Sequence, residues 1–171
     1  NLYNTATRMR CAGIDARDVE LALAQQAAFF DARRDRSKAK ELARLSSLAA
    51  RRPALSDWLF PADVPARPTG EWYDVLDADY DPRRAWRTWR GPGLFVFAEF
   101  DDSTPTDVAA RRAREDARGA ERRIVVLRGA QHLGLRASGT CDGELERVDG
   151  FHPELWPTVR TWLADVVRAG R

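Results

Sequence analysis

Two side chains with complementary acid–base chemistry, Asp101 and His132, each follow a short apolar run of the chain. The runs, residues 94–100 and 124–127, are rich in β-branched and aromatic residues, which is typical of strands buried in a parallel sheet. An imidazole can take a proton from a nucleophile when a carboxylate fixes its tautomer and stabilises its charged form. The sequence therefore predicts an acid and a base that serve a nucleophile, although no nucleophile is evident.

Residues 105–119, between the two runs, predict a helix. Thr106 is expected to be its N-cap, and Gly119 suits its C-terminal stop. A strand, a helix and a second strand in so short a stretch indicate a parallel crossover unit. Ligands of open parallel sheets bind outside the carboxyl ends of the strands, which is where Asp101 and His132 fall. We therefore predict an α/β fold that brings these two residues to one edge of its sheet.

The first part of the chain, residues 1–78, predicts a helical region instead. Asp15 has the position of an N-cap before an amphipathic stretch, and Ser37 has the same position before a second helix that ends ahead of Pro53. The chain from there to Pro92 is punctuated by proline and glycine, as irregular connections are. We predict a domain boundary between residues 78 and 79.

Three aromatic residues of this connection, Trp58, Phe60 and Trp72, are candidates for substrate binding. Aromatic and apolar residues in such a region most often belong to a core. The alternative is that these three line a substrate entrance.

The strongest amphipathic pattern in the chain follows Pro153 and runs to Val167. His152 is expected to have a structural role near the N-terminus of this helix. Two strands are too few for an independently stable sheet, and both are apolar enough to require covering and pairing. We therefore expect the chain to be the C-terminal part of a larger α/β protein. Its remaining strands would come from preceding sequence or from another copy.

Composition excludes several other classes of function. Basic and acidic residues number 28 and 26, for a formal charge of +2. Acidic residues lie beside most of the arginine pairs, which favours a solvated surface over a nucleic-acid interface. No stretch reaches the roughly 20 apolar residues that cross a bilayer, and no signal peptide is evident. We expect a cytoplasmic protein that binds neither nucleic acid nor membrane.

The two cysteines, Cys11 and Cys141, fit neither a disulfide framework nor a metal site, since zinc sites need clustered ligands. With two histidines in the chain, no structural metal is expected. We also expect no cofactor.

The segment 92–105 resembles a family, the α/β-hydrolase superfamily. In that family a strand ends in a Gly-x-x-Asp-x-x-x-Pro pattern that carries the acid of the catalytic triad, and Ala98 stands here where glycine is usual. Residues 125–132 are similar to the family's last strand and its Gly-x-x-His turn, which carries the triad histidine. The resemblance extends over residues 79–167. It implies that residues 79–171 are the C-terminal part of the hydrolase core and that residues 1–78 are a helical, cap-like region.

The resemblance implies a serine-type hydrolase that cleaves an ester or amide, as esterases and peptidases do. Asp101 would be the triad acid and His132 the base. The family's nucleophile precedes the acid on a Gly-x-Ser-x-Gly turn, and no such turn precedes Asp101. Gly139-Thr140-Cys141-Asp142-Gly143 has the related form with cysteine, but it follows the histidine and is rejected. We expect the nucleophile upstream of this chain, which alone would be inactive.

Several alternatives stay open at this point. Asp102 is the neighbouring rival of Asp101 as the acid. A relative with an aspartate nucleophile, such as a dehalogenase or an epoxide hydrolase, would share the same acid and base. A non-catalytic relative would keep the fold as a binding protein. Finally, a helical interaction domain would result if the predicted strands were not strands.

Overall fold

A computed structural model describes residues 2–66, 81–117, 122–142 and 150–170 of the chain. It divides into two units, Asn1–Tyr80 and Asp81–Arg171. The division falls two residues after the boundary that the sequence predicts. No helix within the described ranges is long and apolar enough to cross a membrane.

The first unit is helical. Its elements are α1 (Leu2–Cys11), α2 (Ala16–Arg34), a 3₁₀ turn (Arg36–Lys38), α3 (Ala39–Ala49) and a 3₁₀ segment (Pro53–Trp58). Asp15 is the predicted N-cap of α2, and its carboxylate accepts the N–H of Arg17 at 2.9 Å. The prediction that Ser37 caps α3 is wrong. The Asp35 carboxylate accepts the Ser37 N–H at 3.0 Å, which places Ser37 inside the 3₁₀ turn.

Two buried glutamines of α2 hold the end of the 3₁₀ segment and the residues after it against the helix. The Gln25 side chain accepts the N–H of Phe60 at 3.1 Å and donates to its carbonyl at 2.8 Å. Gln26 donates to the carbonyl of Trp58 at 2.7 Å. The Phe60 ring also packs edge-to-face on Phe29, with 5.2 Å between ring centroids. These bonds satisfy polar groups that would otherwise be costly to bury.

The second unit contains α4 (Arg83–Thr88), β1 (Gly93–Ala98), α5 (Thr106–Asp116), β2 (Arg122–Leu127) and α6 (Leu155–Ala169). The strands pair in parallel, from Gly93 opposite Arg122 to Ala98 opposite Leu127. Helix α5 connects them and contacts both. The predicted strand–helix–strand unit is thus confirmed, and a purely helical domain is excluded.

The start of α5 corrects one predicted cap. Pro105 holds the N-cap position of this helix, and Thr106 is the first helical residue. The Thr106 hydroxyl donates to the carbonyl of Ala98, the last residue of β1. Thr106 therefore joins the helix to the carboxyl end of the strand instead of capping it. Gly119, the predicted stop, lies outside the described residues, and α5 ends at Asp116.

The sheet has two strands within the described part of the chain, and most of their residues are not fully buried. Only Ala98 and Leu127, the last residues of the strands, are buried, whereas their other apolar residues are half-buried. Leu155 of α6 packs against this small core. The same helix leaves a set of large apolar side chains exposed: Trp156, Leu163 and Val167.

The cysteines correct another expectation. Both Cys11 and Cys141 are disulfide-bonded, and neither is a free thiol. Disulfides persist in oxidising compartments and are rare in the cytosol. The expected cytoplasmic location therefore gains no support from the fold.

Candidate functional site

Asp101 lies in the turn that follows β1. It is buried, with 7% of the residue exposed. Its Oδ1 accepts the backbone N–H groups of Ser103 and Thr104 at 2.8 and 2.7 Å. These two bonds fix the direction of the carboxylate, because an Asp that bonds the backbone two and three residues on closes a tight turn. The carboxylate is thus oriented by main-chain atoms of its own loop.

His132 lies in the turn that follows β2 and meets this carboxylate. Its Nδ1 is 3.0 Å from Oδ1 and 3.0 Å from Oδ2 of Asp101. An ionised carboxylate only accepts hydrogen bonds, so Nδ1 carries the proton and Nε2 is left as the basic nitrogen. The His132 side chain is 45% exposed whereas that of Asp101 is 8% exposed. The imidazole therefore faces outward while its carboxylate partner is buried.

Asp102, the rival acid, has a different position. Its Oδ1 accepts the hydroxyl of Ser103 at 2.9 Å. The residue that contacts the His132 ring at both carboxylate oxygens is Asp101. Of the two neighbouring aspartates, the structure thus pairs the predicted one with the histidine.

The turn that carries His132 needs two glycines. Gly129 and Gly134, on either side of the histidine, have φ of 76° and 71°, the left-handed region that glycine adopts without strain. Backbone bonds close the turn, since the Gln131 N–H donates to the Leu135 carbonyl at 2.9 Å. The Phe100 N–H donates to the Ala130 carbonyl at 2.8 Å, which joins the two turns directly. The local backbone is therefore well defined around the ring.

Glu99 adds a second link between the two turns. Its carboxylate accepts the N–H of Gly129 at 2.8 Å, and its own N–H donates to the Leu127 carbonyl at 3.0 Å. Glu99 lies inside the apolar run 94–100, but β1 ends at Ala98. Glu99 is the charged residue of that run, and its charge was the one sign in the sequence that its side chain does not belong to the core.

His152 contacts the same turn from the other side. Its Nε2 lies 2.9 Å from the carbonyl oxygen of Arg128, and its backbone N–H donates to the carbonyl of Gly134 at 2.7 Å. His152 thus lies just before α6, where the sequence predicts it. The structure adds contacts with the His132 turn that the sequence does not indicate.

Ion pairs between a buried carboxylate and two partly exposed arginines join α4 to α5 at the other end of the unit. The Asp116 carboxylate accepts from the guanidinium groups of Arg83 and Arg87, the second at 2.8 Å. These bonds lower the pKa of the Asp116 carboxyl to about 2. The Asp116 carboxylate therefore joins α5 to α4. It does not belong to the pair of Asp101 and His132, which follow the carboxyl ends of the strands.

A cavity of about 350 Å³ lies near this ion pair and is lined largely by apolar atoms of Trp86, Trp89 and Phe95. Gly93 and Arg122, the first residues of the strands, also line it. The cavity is therefore at the amino ends of the strands, whereas Asp101 and His132 follow their carboxyl ends. The two features are separate.

Of the other predicted candidates, Trp58, Phe60 and Cys141 lie within the described residues. Trp58 and Phe60 pack within the first unit, and Trp72 lies outside the described residues. Cys141 is disulfide-bonded, so it offers no thiolate nucleophile. No cluster of three metal-ligating side chains occurs within the ranges that the structure describes.

The chain matches no protein-family model, no curated protein and no solved structure. The geometry of Asp101 and His132 is therefore the feature that indicates what the site can do. An outward-facing imidazole, oriented through Nδ1 by a buried carboxylate, can act as a general base through Nε2 and then return the proton as an acid.

Proposed function

We propose that this chain supplies the acid and the base of a serine-type α/β hydrolase that cleaves an ester or an amide. The observation that carries the proposal is the placement of His132 Nδ1 at 3.0 Å from both carboxylate oxygens of Asp101, directly after adjacent parallel strands. This fold's ligand sites lie at the carboxyl ends of such strands. The reacting group is an acyl carbonyl of a small-molecule substrate.

In the proposed reaction, Nε2 of His132 removes the proton from a serine hydroxyl as the oxygen attacks the carbonyl carbon. The Asp101 carboxylate holds the ring in the Nδ1–H tautomer and stabilises the imidazolium that forms. The same Nε2–H then donates its proton to the departing alcohol or amine. A water molecule then attacks the carbonyl carbon of the acyl-enzyme as Nε2 removes its proton. The proton passes to the serine oxygen, so the serine is regenerated and the carboxylic acid leaves.

The serine and the oxyanion-binding amides come from polypeptide outside this chain, in the family's order of nucleophile, acid and histidine. Two features support the proposal that further polypeptide packs on this unit and completes its sheet. The apolar residues of β1 and β2 are largely half-buried, and α6 carries exposed apolar residues. Apolar surface of this kind marks a place where protein packs on protein. In this proposal residues 79–171 end the hydrolase core and residues 1–78 form a helical cap.

An active-site-directed fluorophosphonate tests the proposal on the full-length protein. The probe phosphonylates a serine that has been activated by a histidine, and peptide mass spectrometry locates it. We expect one labelled serine on a Gly-x-Ser-x-Gly turn and loss of labelling in His132→Ala. Labelling at wild-type rate in His132→Ala would overturn the proposal. An aspartate nucleophile would instead give no labelling together with cleavage of a haloalkane or an epoxide.

A further inference from the structure

We propose that His152 is a positioning residue for His132, because it ties together the two ends of the turn that carries the base. The inference rests on the proposed function, since it assigns His132 as the residue to be positioned. His152 itself does not touch the pair in this assignment. It acts on the backbone that holds the His132 ring against Asp101.

The contacts of His152 enclose the turn. Its side chain reaches the carbonyl of Arg128, before the turn, at 2.9 Å. Its main chain reaches the carbonyl of Gly134, near the end of the turn, at 2.7 Å. Both flexible glycines of the turn, Gly129 and Gly134, lie within the segment that these two bonds delimit. Fixing both ends reduces the conformations available to the glycine-containing loop.

The two ring nitrogens of His152 have distinct roles. A carbonyl oxygen only accepts, so Nε2 carries the proton that bonds Arg128. Nδ1 is then unprotonated and accepts the N–H of Glu154 at 3.3 Å, at the start of α6. One neutral imidazole thereby connects the His132 turn to the first turn of the helix. An apolar side chain of similar size would lose both bonds.

The surroundings of His152 keep it in place. Pro153 follows it, and a residue before proline is restricted to extended conformations. Leu155, the first residue of α6, packs close to Gly134, where an added Cβ would lie 2.7 Å from a Leu155 methyl group. The histidine is therefore held on a restrained backbone beside the turn. This is the arrangement that a positioning residue requires.

A matched pair of substitutions separates the side-chain bond from general stability. In His152→Gln, the amide nitrogen is as many bonds from Cα as Nε2 and can donate to the Arg128 carbonyl. His152→Leu removes that donor. Val166→Ala, at a half-buried position of α6, serves as a control for loss of stability that does not affect the turn.

The first readout is NMR of the protein with ¹⁵N-labelled histidine, in which His132→Ala assigns the signals. We expect a hydrogen-bonded Nδ1–H signal of His132 in the wild type, in His152→Gln and in Val166→Ala. His152→Leu should lose this signal to exchange with water and show a mixture of ring tautomers. The inference is overturned if His152→Leu keeps the wild-type signal and tautomer, or if His152→Gln changes as much as His152→Leu.

The second readout is ester hydrolysis by the protein that includes the nucleophile. We expect His152→Leu to lower kcat roughly 10- to 100-fold with KM unchanged, since small displacements of a catalytic group have effects of this size. His152→Gln should retain most of kcat. Equal kcat in His152→Leu and wild type would overturn the inference. An active enzyme whose rate is unaffected by His132→Ala would overturn the proposed function instead, and the NMR comparison distinguishes the two failures.

Discussion

The carboxylate of Glu99 accepts the backbone N–H of Gly129 at 2.8 Å. This bond joins the turn after β1, which carries Asp101, to the turn after β2, which carries His132. The parallel pairing of the strands brings both turns to the same edge of the sheet, and Glu99 then bonds one turn to the other. The distance between acid and base is therefore set by the sheet and by contacts between the two loops.

Replacing Glu99 by alanine should loosen the site. We expect Glu99→Ala to lower the free energy of unfolding by about 0.5–1.5 kcal/mol, the usual net worth of a hydrogen bond, and to lower kcat. Glu99→Gln keeps an oxygen acceptor for the Gly129 N–H and should stay closer to wild type on both measures. Denaturant unfolding and steady-state kinetics check the pair of variants. Equal losses in Glu99→Ala and Glu99→Gln would contradict a role for the acceptor.

Asp101→Asn should have a far larger effect on the reaction than on the fold. The amide of asparagine can donate to Nδ1 of His132, which favours the tautomer with the proton on Nε2 and removes the base. We expect kcat to fall about 10³- to 10⁴-fold, as in triads altered this way. Asp102→Asn is the matched control and should stay near wild type, because Asp102 bonds the Ser103 hydroxyl. The reverse order of effects would make Asp102 the acid.

The ion pair of Asp116 makes a prediction about acid stability. Its pKa is lowered from 3.8 to about 2 in the folded protein, so its contribution to stability is complete above its unfolded pKa. That contribution should be lost as pH falls from about 4 towards 2. Urea unfolding across this range should show a steeper loss in wild type than in Asp116→Asn. Glu115→Gln, which alters an exposed neighbour on α5, should keep the wild-type slope.

The disulfide-bonded state of Cys11 and Cys141 predicts their reactivity. Iodoacetamide should add no mass to the denatured, unreduced protein and two carbamidomethyl groups after reduction. Intact-protein mass spectrometry checks this in material made in an oxidising compartment. Modification before reduction would show that the thiols are free.

The pairing of Asp101 with His132 was predictable because it follows from two general features of parallel sheets. Buried strands are evident as apolar runs, and consecutive strands joined by a helix place their carboxyl ends together. Those regularities identify Asp101 and His132 without any knowledge of side-chain contacts. The choice of Asp101 over Asp102 came from the resemblance, and the contact with His132 Nδ1 agrees with it.

Other features depended on competition between neighbouring groups, which a sequence pattern does not resolve. Thr106 and Ser37 are both good capping residues, yet the Thr106 hydroxyl bonds the Ala98 carbonyl and Ser37 lies inside the 3₁₀ turn that Asp35 caps. The bond from His152 to Arg128 joins residues 24 positions apart and requires the fold of the whole turn. The sequence also does not indicate that Cys11 and Cys141 are disulfide-bonded, because two distant cysteines give no local signal.

The most direct test of the account is the hydrolysis of a p-nitrophenyl ester by the full-length protein, in which the proposal places the nucleophile. kcat/KM is compared between the wild type and His132→Ala, with circular dichroism to establish that the variant is folded. We predict that wild type hydrolyses the ester and that His132→Ala lowers kcat/KM by at least about 10³-fold, because the general base is removed. A folded His132→Ala variant with wild-type kcat/KM would contradict the assignment of His132 as the base.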